Sequence, residues 1–490
     1  MRLLPWLVLA ACSSSPAASP PDGGISDSSA DGTTDGAQAA DAGDAAAPPC
    51  TTRIQYGAAW IHGPNHPDDF DVADGPVSWD GTCTDDGTSS YATLSNGWKP
   101  YFSGHSACII ALDESAGCSA PTACTTRVSY GAGWLPPANH PATYDDVVGR
   151  VFSDGVCHGG SYADLSNGWQ PHYAGGSCPL SFRYEQCGGL YTNPVIPGDC
   201  PDPGVLRDGS TYVLTCTSGN AADAFPIYTS PDLAHWSPAG HVFPSASRPK
   251  WATSDFWAPE IHKVGSHYVA YFSARNTADG KLSVGAASAP SATGPFTDLG
   301  APLIHDPNMG LIDASEITAS SQIPYVLWKE DGNAVGKPTP IHAQQLAPDG
   351  LSLVGSPSTL ITNDQAWEGA LVEGPFMVER SGTFYLFYSG NSYASTAYAI
   401  GVARGASPTG PMTKAAAPIL VTGGAWAGPG HCSVLDTPAG DTAIVYHAWP
   451  SNCVGGQGCG RATLLDEIAW DGSGWPSVLL APSSTTRPLP

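Results

Sequence analysis

Short runs of aromatic and β-branched residues recur at near-equal intervals along the last 303 residues of the chain. Each run is four to six residues long and reads as a buried β-strand. The runs begin at Tyr212, Tyr268, Tyr325, Tyr385 and Ile444, with separations of 56, 57, 60 and 59 residues. Five similar units of several short strands predict an all-β fold, a five-bladed β-propeller over residues 188–490, because radial repetition limits exposed sheet edges.

A polar residue precedes each of these five runs by 8 to 13 residues, and four of the five are carboxylic acids. In a propeller the upstream strand of each blade is the inner one, so residues at equivalent positions converge on the central channel. Converging carboxylates raise one another's pKa, which is costly unless function requires it. The five residues are Asp202, Glu260, Asp313, Glu373 and His431.

A second repeat lies upstream, in the spacing of eight cysteines. The first gap in each quartet is 33 residues, and the segment Leu94–Trp98 returns as Leu165–Trp169. The copies predict two small disulfide-rich β modules, residues 50–118 and 124–187, that are too small to be held by a core alone. Two disulfides are expected in each, and four cysteines leave three pairings open. The quartets are Cys50, Cys83, Cys108 and Cys118, and Cys124, Cys157, Cys178 and Cys187.

Both modules also repeat the same aromatic positions and one histidine. Trp and Tyr faces stack on sugar rings, so the aromatics favour carbohydrate binding, and the alternative is that they form the core of each module. The histidines His66 and His140 would suit zinc, but an oxidising compartment favours disulfides for the nearby cysteines. The aromatics are Tyr56, Trp60, Trp98 and Tyr101 in the first copy and Tyr130, Trp134, Trp169 and Tyr173 in the second.

The first twelve residues have the pattern of a secretory leader. Arg2 precedes an apolar stretch that is too short to span a bilayer. The ending Leu-Ala-Ala-Cys resembles the bacterial lipobox and predicts lipidation of Cys12, with a plain signal peptide as the alternative. Residues 13–49 contain six Asp and no Lys or Arg, which predicts a disordered tether. The protein is therefore expected to be secreted and lipid-anchored to the bacterial cell envelope.

The charge balance narrows the choice of partner. The chain has 44 acidic and 19 basic residues, a net charge of −25, and only 13% charged residues. Nucleic acid is disfavoured because it requires clustered cations, and anionic lipid or polyuronate is disfavoured by the same repulsion. No second segment is long and apolar enough to cross a membrane, and nothing in the sequence indicates an oligomer. A neutral polysaccharide or oligosaccharide suits this surface best.

Two carboxylic acids in one pocket can cleave a glycosidic bond: one protonates the leaving oxygen and the other activates water. Residues 193–490 resemble glycoside hydrolase family 43 in the segments Asp-Cys-Pro-Asp-Pro-Gly, Gly-Leu-Ile-Asp-Ala-Ser and Val-Glu-Gly-Pro-Phe. The resemblance implies that Asp202 is the general base and Glu373 the general acid. It also implies that Asp313 orients Glu373 and raises its pKa. Glu368 is a rival acid, but the Gly-Pro that follows Glu373 favours Glu373.

Three further matches imply binding residues. The segment Phe-Trp-Ala-Pro-Glu resembles the sugar-binding strand of the second blade, which implicates Trp257 and Glu260. The segment Gly-Pro-Gly-His resembles the one carrying the family's channel histidine, here His431, which implies a water or a structural Ca²⁺ on the propeller axis. No cofactor beyond that ion is implied. Arg461 resembles an arginine that contacts the sugar at the cleavage subsite.

The sequence departs from the family's pattern at Ala314, where Pro is common, and at Cys200, where an aromatic residue is common. Proximity alone pairs Cys200 with Cys216 and Cys453 with Cys459, which leaves Cys432 as a free buried thiol. The extra cysteines leave the local pocket shape open.

The resemblance implies an inverting hydrolase of plant cell-wall glycans. α-L-Arabinofuranosidase and β-xylosidase are the first expectations, and an endo-arabinanase or galactan-active enzyme is the alternative because specificity lies in loops. Inversion requires the two carboxyl groups to stand ~6.5–9.5 Å apart, whereas a retaining enzyme holds them at ~5–5.5 Å. Two other classes stay open: a non-catalytic carbohydrate-binding lipoprotein, and a retaining fructan-type propeller hydrolase.

Overall fold

The computed structural model describes residues 124–490 apart from 138–141, 186, 188, 438–439 and 457. Before residue 124 it describes only short stretches between Thr51 and Glu114. The chain divides into two compact units, Met1–Ser119 and Ala120–Pro490. Several predictions fall outside the described residues: the leader with Cys12, the tether 13–49, and the residues Cys50, His66, Trp98, Cys118 and His140.

The described part of the first unit is made of short antiparallel strands around a small core. Ile54 and Phe102 are fully buried in it, and a disulfide joins Cys83 to Cys108. The strands form two three-stranded sheets in the orders β2-β1-β6 and β3-β4-β5. They are β1 (Thr51–Tyr56), β2 (Phe70–Asp74), β3 (Cys83–Asp85), β4 (Ser89–Ala92), β5 (Tyr101–Ser103) and β6 (Ile110–Glu114).

The second cysteine-rich module opens the second unit. Its three-stranded sheet has the order β8-β7-β9, made of β7 (Thr125–Tyr130), β8 (Tyr144–Val148) and β9 (Leu180–Glu185). Disulfides join Cys124 to Cys187 and Cys157 to Cys178. Of the three pairings left open by the sequence, the structure therefore has first with fourth and second with third in this copy.

Residues 204–478 form five four-stranded antiparallel sheets, the blades of the predicted propeller. A short strand, β10 (Leu190–Tyr191), precedes them. Blade I is β11 (Gly204–Asp208), β12 (Thr211–Thr215), β13 (Ala224–Ser230) and β14 (Ser237–Phe243). Blade II is β15 (Ala252–Val264), β16 (His267–Asn276), β17 (Leu282–Ala289) and β18 (Thr297–Asp298). Blade III is β19 (Leu311–Thr318), β20 (Pro324–Glu330), β21 (Ile341–Leu346) and β22 (Leu353–Ile361). Blade IV is β23 (Val372–Arg380), β24 (Thr383–Gly390), β25 (Ala399–Gly405) and β26 (Thr413–Lys414). Blade V is β27 (Trp426–Asp436), β28 (Thr442–Pro450), β29 (Ala462–Trp470) and β30 (Pro476–Val478), followed by β31 (Arg487–Pro488).

Each apolar run picked out in the sequence occupies the second strand of a blade, and the strand before it is the inner one. The second strands are almost wholly buried because both of their faces pack against neighbouring blades. The inner strands contact one another in order, and β27 contacts β11, which closes the ring. The five-bladed prediction is therefore confirmed.

The ends of the propeller segment are tied together by hydrogen bonds. β10 pairs with β31, and the Asn193 side chain donates to and accepts from the Leu465 backbone at 2.8 and 2.9 Å. Disulfides join Cys200 to Cys216 and Cys453 to Cys459, and Cys432 is free and buried, so all three cysteine predictions are confirmed.

The described residues contain no α-helix, and their three short 3-10 helices are Ser245–Ser247, Gly332–Val335 and Ala366–Glu368. No helix in this part of the chain has the length and apolar character to cross a membrane.

The second module packs against the end of the propeller through two arginines. Arg150 lies 2.6 Å from Asp441 and 3.3 Å from Glu467. Arg487 is 1% exposed, lies over the Phe152 ring at 4.3 Å, and donates to Asp466 at 2.9 Å. These charged contacts join the module to blade V.

Candidate active site

A residue with a left-handed backbone occurs at an equivalent position in each blade, within the inner strand or just before it, and β15 and β27 each contain a second one, Asp255 and Gly428. Three of the five are chemically reactive side chains, and this conformation costs a non-glycine residue on the order of 1–3 kcal/mol. The residues and their φ angles are Asp202 (56°), Ala258 (44°), Asp313 (57°), Gly374 (57°) and His431 (48°). The backbone bends at one equivalent place in every blade, and this bend turns the neighbouring side chains toward the channel.

Asp202 is held by four groups from blades I and V. Its Oδ2 accepts a hydrogen bond from Thr217 at 2.7 Å, and its Oδ1 lies 3.1 Å from Arg461 Nη1. His431 and His447 approach the same oxygen at 3.5 and 3.3 Å. Burial opposes ionisation, but Arg461 and then His431 outweigh it and hold the pKa of Asp202 well below its usual range. Asp202 is therefore an ionised carboxylate that can accept a proton.

His447 fixes the backbone of Asp202. Its Nδ1 accepts the Asp202 amide at 3.0 Å, and the ring stacks on Tyr398 with centroids 5.8 Å apart. Burial, with the charge of Arg461, lowers the pKa of His447 to about 4. The ring is therefore neutral and carries its proton on Nε2, because Nδ1 is an acceptor.

Asp313 is buried between the other two acids. Its amide donates to Ser273 Oγ at 2.9 Å, and its Oδ2 accepts the Gly374 amide at 3.0 Å. Burial is the largest cause that raises its pKa, and the charge of Glu373 adds to it, so the pKa of Asp313 is raised to about 6. A proton can therefore reside at this end of the pocket near neutral pH.

Both carboxyl oxygens of Glu373 accept hydrogen bonds. Tyr398 donates to Oε1 and Lys329 donates to Oε2, each at 2.9 Å. Lys329 is 1% exposed, and its Nζ also lies 3.1 Å from Asp331 Oδ1. Burial opposes its charge, but Glu373, Asp313 and Asp331 hold the pKa of Lys329 above its ordinary value. The carboxyl plane of Glu373 is thus fixed from two blades.

These groups line one pocket of about 360 Å³. This is the lower end of the range for small-molecule sites, and its mixture of ring faces and charged groups suits a polar ligand. The guanidinium of Arg461 lies over the Tyr393 ring at 4.7 Å. The lining includes Asp202, Asp313 and Glu373 with Trp257, Lys329, Asp331, Asn333, Tyr393, His431 and Arg461.

The whole propeller segment matches one family of known proteins. Residues 191–476 match the family described as glycosyl hydrolases family 43, which is more than half of the chain. The chain belongs to glycoside hydrolase family 43. A solved structure of a thermostable family-43 glycoside hydrolase is 33% identical, with a TM-score of 0.54, and the match covers 60% of this chain and 97% of that one.

Two curated relatives are named for their activities. A xylosidase/arabinosidase from Butyrivibrio fibrisolvens is 28% identical over 311 residues, which covers 59% of this chain and 56% of that protein. A β-D-galactofuranosidase from Aspergillus niger is 28% identical over 273 residues, covering 52% of this chain and 75% of that protein. This chain thus spans little more than half the length of the first relative.

Most of the residues predicted from the family resemblance lie in this pocket, and one does not. The pocket brings together Asp202, Asp313, Glu373, Trp257, His431 and Arg461. Glu260 is not part of its lining: it is 3% exposed, and its Oε2 lies 3.2 Å from His262. The blade II counterpart of Asp202 and Asp313 is the left-handed Ala258, so Glu260 sits two residues further along the inner strand than the equivalent position.

The rival acid Glu368 is fully buried away from the pocket lining. It accepts hydrogen bonds from the Asp364 and Gln365 amides, from Tyr388 at 2.8 Å and from Lys414 at 2.6 Å. These donors occupy both of its oxygens, so Glu373 is the glutamate that faces the pocket.

The donors around His431 do not form a protein-based Ca²⁺ site. Its Nδ1 faces Asp202 at 3.5 Å, and the part of the chain that the structure describes has no cluster of three or more His, Cys, Asp or Glu suited to a metal. Ca²⁺ takes six to eight oxygen ligands. An ion at His431 stays a prediction of the family resemblance.

Four residues that contact the pocket acids were not predicted from the sequence: Thr217 and Lys329, which line the pocket, and Tyr398 and His447, which lie behind it. Three lie in or directly after second strands, and Tyr398 precedes β25. The only sequence signal for Lys329 is a cation that directly follows the buried run of blade III, Tyr-Val-Leu-Trp. The close approach of Tyr398 explains a glycine in the His431 motif, because a Cβ at Gly430 would collide with the Tyr398 ring.

Proposed function

We propose that the protein is an inverting glycoside hydrolase that removes or cuts pentosyl units in plant cell-wall polysaccharides. The observation that carries this proposal is the grouping of three carboxyl groups in one pocket with opposite pKa shifts at two of them. Asp202 has its pKa held low and Asp313 has its pKa raised to about 6. The ionised Asp202 suits the role of base, and Glu373, the glutamate of the same pocket, takes the role of acid.

In the proposed reaction Asp202 accepts a proton from a water molecule that attacks the anomeric carbon. Thr217 and Arg461 hold the carboxylate in place for that step. Glu373 protonates the leaving oxygen, with Tyr398 and Lys329 fixing its orientation. Asp313 accepts the Gly374 amide and so fixes the backbone beside Glu373.

The proposed substrates are α-L-arabinofuranosides and β-xylosides, as in arabinan and arabinoxylan. The xylosidase/arabinosidase relative supports both arabinose and xylose as the sugar, and the galactofuranosidase relative supports a pocket that accepts a furanose ring. An endo-arabinanase or a galactan-active enzyme is the alternative.

One experiment separates these possibilities. Aryl arabinofuranosides, xylosides and galactosides would be hydrolysed by the full chain, and the anomer first released would be followed by NMR. Inversion with arabinofuranoside or xyloside is expected. Release of the retained anomer would instead support a covalent nucleophile, and absence of turnover on every glycoside and on arabinan would support a binding protein.

We infer that the two modules bind carbohydrate. Of the aromatics repeated in the sequence, Tyr173 is buried and corresponds to Phe102, not to Tyr101. The ring pairs at matching positions are Tyr91 with Tyr101 at 5.3 Å, and Tyr162 with His172 at 5.6 Å. Tyr101 is 41% exposed and His172 is exposed, so each pair includes a residue that solvent can reach.

The module proposal predicts retention of the full chain on insoluble arabinoxylan. With Glu373→Gln as background, Tyr162→Ala is expected to weaken retention severalfold. Tyr144→Ala is the matched control, because Tyr144 is an exposed tyrosine of the same module that lies outside this ring pair. Equal retention of both variants would contradict the assignment.

We further propose that lipidation of Cys12 holds the protein at the cell envelope, with the residues up to 49 as tether. The support is the lipobox-like sequence alone. Cys12→Ala is expected to release activity from the membrane fraction to the soluble fraction of a bacterial host, and unchanged fractionation would contradict the proposal.

A further inference from the structure

One residue on the second strand of each blade lies beside the left-handed residue of its own inner strand. Ser273 pairs with Trp257, Lys329 with Ile312, Ser389 with Glu373, and His447 with Gly430. In blade I the Thr217 amide donates to the Pro201 carbonyl. The five equivalent residues are Thr217, Ser273, Lys329, Ser389 and His447.

In four blades this side chain accepts the amide of the next blade's left-handed residue. Thr217 accepts from Ala258 at 2.7 Å, Ser273 from Asp313 at 2.9 Å, and Ser389 from His431 at 2.7 Å. His447 closes the series by accepting from Asp202 at 3.0 Å. A hydroxyl or a neutral imidazole therefore suffices to join one blade to the next.

Blade III breaks this pattern because an ammonium group cannot accept a hydrogen bond. Lys329 donates instead, to Glu373 at 2.9 Å and to Asp331 at 3.1 Å. The amide that it would otherwise receive, that of Gly374, donates to Asp313 Oδ2 at 3.0 Å. The exchange of an acceptor for a cation occurs only at the blade junction that carries Glu373.

A buried ammonium is expensive unless it is paired with carboxylates. Serine at the same position serves blades II and IV, so joining the blades does not require the lysine. The groups that face Glu373 are Lys329, Tyr398 and the neighbouring Asp313, and those that face Lys329 also include Asp331. On the other side of the pocket, Arg461 is the counter-charge of Asp202.

We propose that Lys329 is a positioning residue, which holds the carboxyl group of Glu373 in the orientation from which it protonates the leaving oxygen. This inference rests on the proposed hydrolase function. It differs from a packing role in one respect: its effect should depend on how much proton donation the leaving group needs.

The test compares Lys329→Met with the wild-type chain on aryl glycosides of the preferred sugar. A 2,4-dinitrophenyl group leaves with little need of protonation, whereas a 4-methoxyphenyl group requires it. For Lys329→Met, kcat is expected to fall about 100-fold on the methoxyphenyl glycoside and less than about tenfold on the dinitrophenyl glycoside, with KM little changed. Glu373→Gln should show the same selectivity, more strongly.

Lys329→Ser gives a second variant, since serine reproduces the acceptor of blades II and IV and would let that junction form as it does there. It is expected to show the same leaving-group-selective loss with thermal stability retained. Lys337→Met is the matched control, because Lys337 is exposed and outside the pocket lining, and its kcat should match that of the wild type.

An equal loss on both glycosides, or no loss, in the folded Lys329 variants would overturn the positioning role. The proposed function fails separately: the wild-type chain would not turn over the glycosides, or Glu373→Gln would show no leaving-group selectivity. Either of these results would overturn the Lys329 inference as well.

Discussion

Two buried aspartate–arginine pairs of the propeller have similar lengths but different surroundings. Asp202 and Arg461 are 3.1 Å apart, with side chains 12% and 15% exposed at the pocket. Asp466 and Arg487 are 2.9 Å apart, with side chains 0% and 1% exposed at the junction with the second module. The Asp202–Arg461 pair is therefore accessible to a ligand in the pocket, whereas the Asp466–Arg487 pair is closed to solvent.

Their carboxyl groups also titrate in opposite directions. Burial opposes ionisation at both, but at Asp202 it is outweighed by Arg461 and His431, and the pKa lies well below its usual range. At Asp466 burial prevails over Arg487 and the Tyr446 hydroxyl, and the pKa is raised to about 6. The surroundings of the pair, rather than the pair itself, decide whether a buried acid is available as a base.

The largest effect on activity is expected at the Asp202–Arg461 pair, which lines the pocket. Asp202→Asn removes the proposed base and should lower kcat by about 10³- to 10⁴-fold, because general-base catalysis is lost. Initial rates on the preferred aryl glycoside measure this, with thermal unfolding as a check on the fold. Activity within about tenfold of the wild type would contradict the role of Asp202.

A substitution in the buried Asp466–Arg487 pair should lower stability rather than activity. Arg487→Met leaves Asp466 without its cation and is expected to lower the free energy of unfolding by about 3–5 kcal/mol. Urea denaturation measures the change, and kcat per folded molecule should stay near the wild-type value. A large loss of kcat in folded protein would show that the two pairs are not separable.

Arg461→Met should change the pH dependence of activity, which distinguishes the Asp202–Arg461 pair from the buried Asp466–Arg487 pair. Loss of the cation raises the pKa of Asp202, and the base must be ionised, so the acidic limb of the kcat/KM profile should move to higher pH. At the optimum, kcat/KM should fall about 10- to 100-fold if the guanidinium also contacts the sugar. An acidic limb that does not move would argue against Asp202 as the titrating base.

The smallest effect is expected for Tyr446→Phe. The Tyr446 hydroxyl donates to Asp466 Oδ2 at 2.6 Å, and its removal should cost about 1–3 kcal/mol of unfolding free energy. The pH–rate profile should match that of the wild type, because the hydroxyl does not touch the pocket. A shifted profile would mean that the buried Asp466–Arg487 pair affects the titration of the pocket acids.

The candidate site was predictable to the extent that its residues lie in recurrent segments. Asp202, Asp313 and Glu373 stand at matching distances before apolar runs, and the structure places all three in one pocket. Glu260 shows the limit of that reasoning: the inner strand of blade II has three register shifts, more than any other inner strand, and counting residues back from the next run misses the equivalent residue, Ala258, by two. Lys329 and Tyr398 carry no such spacing signal.

The sequence alone determined the five repeats, the two cysteine-rich copies and the three acids, because each leaves a periodic or local pattern along the chain. The tertiary structure decided which groups surround those acids. Lys329 reaches Glu373 across 44 positions and Arg461 reaches Asp202 across 259. Such contacts depend on ring closure and on the bulges of four of the five inner strands, and these set the distances and burial that shift the pKa values of Asp202 and Asp313.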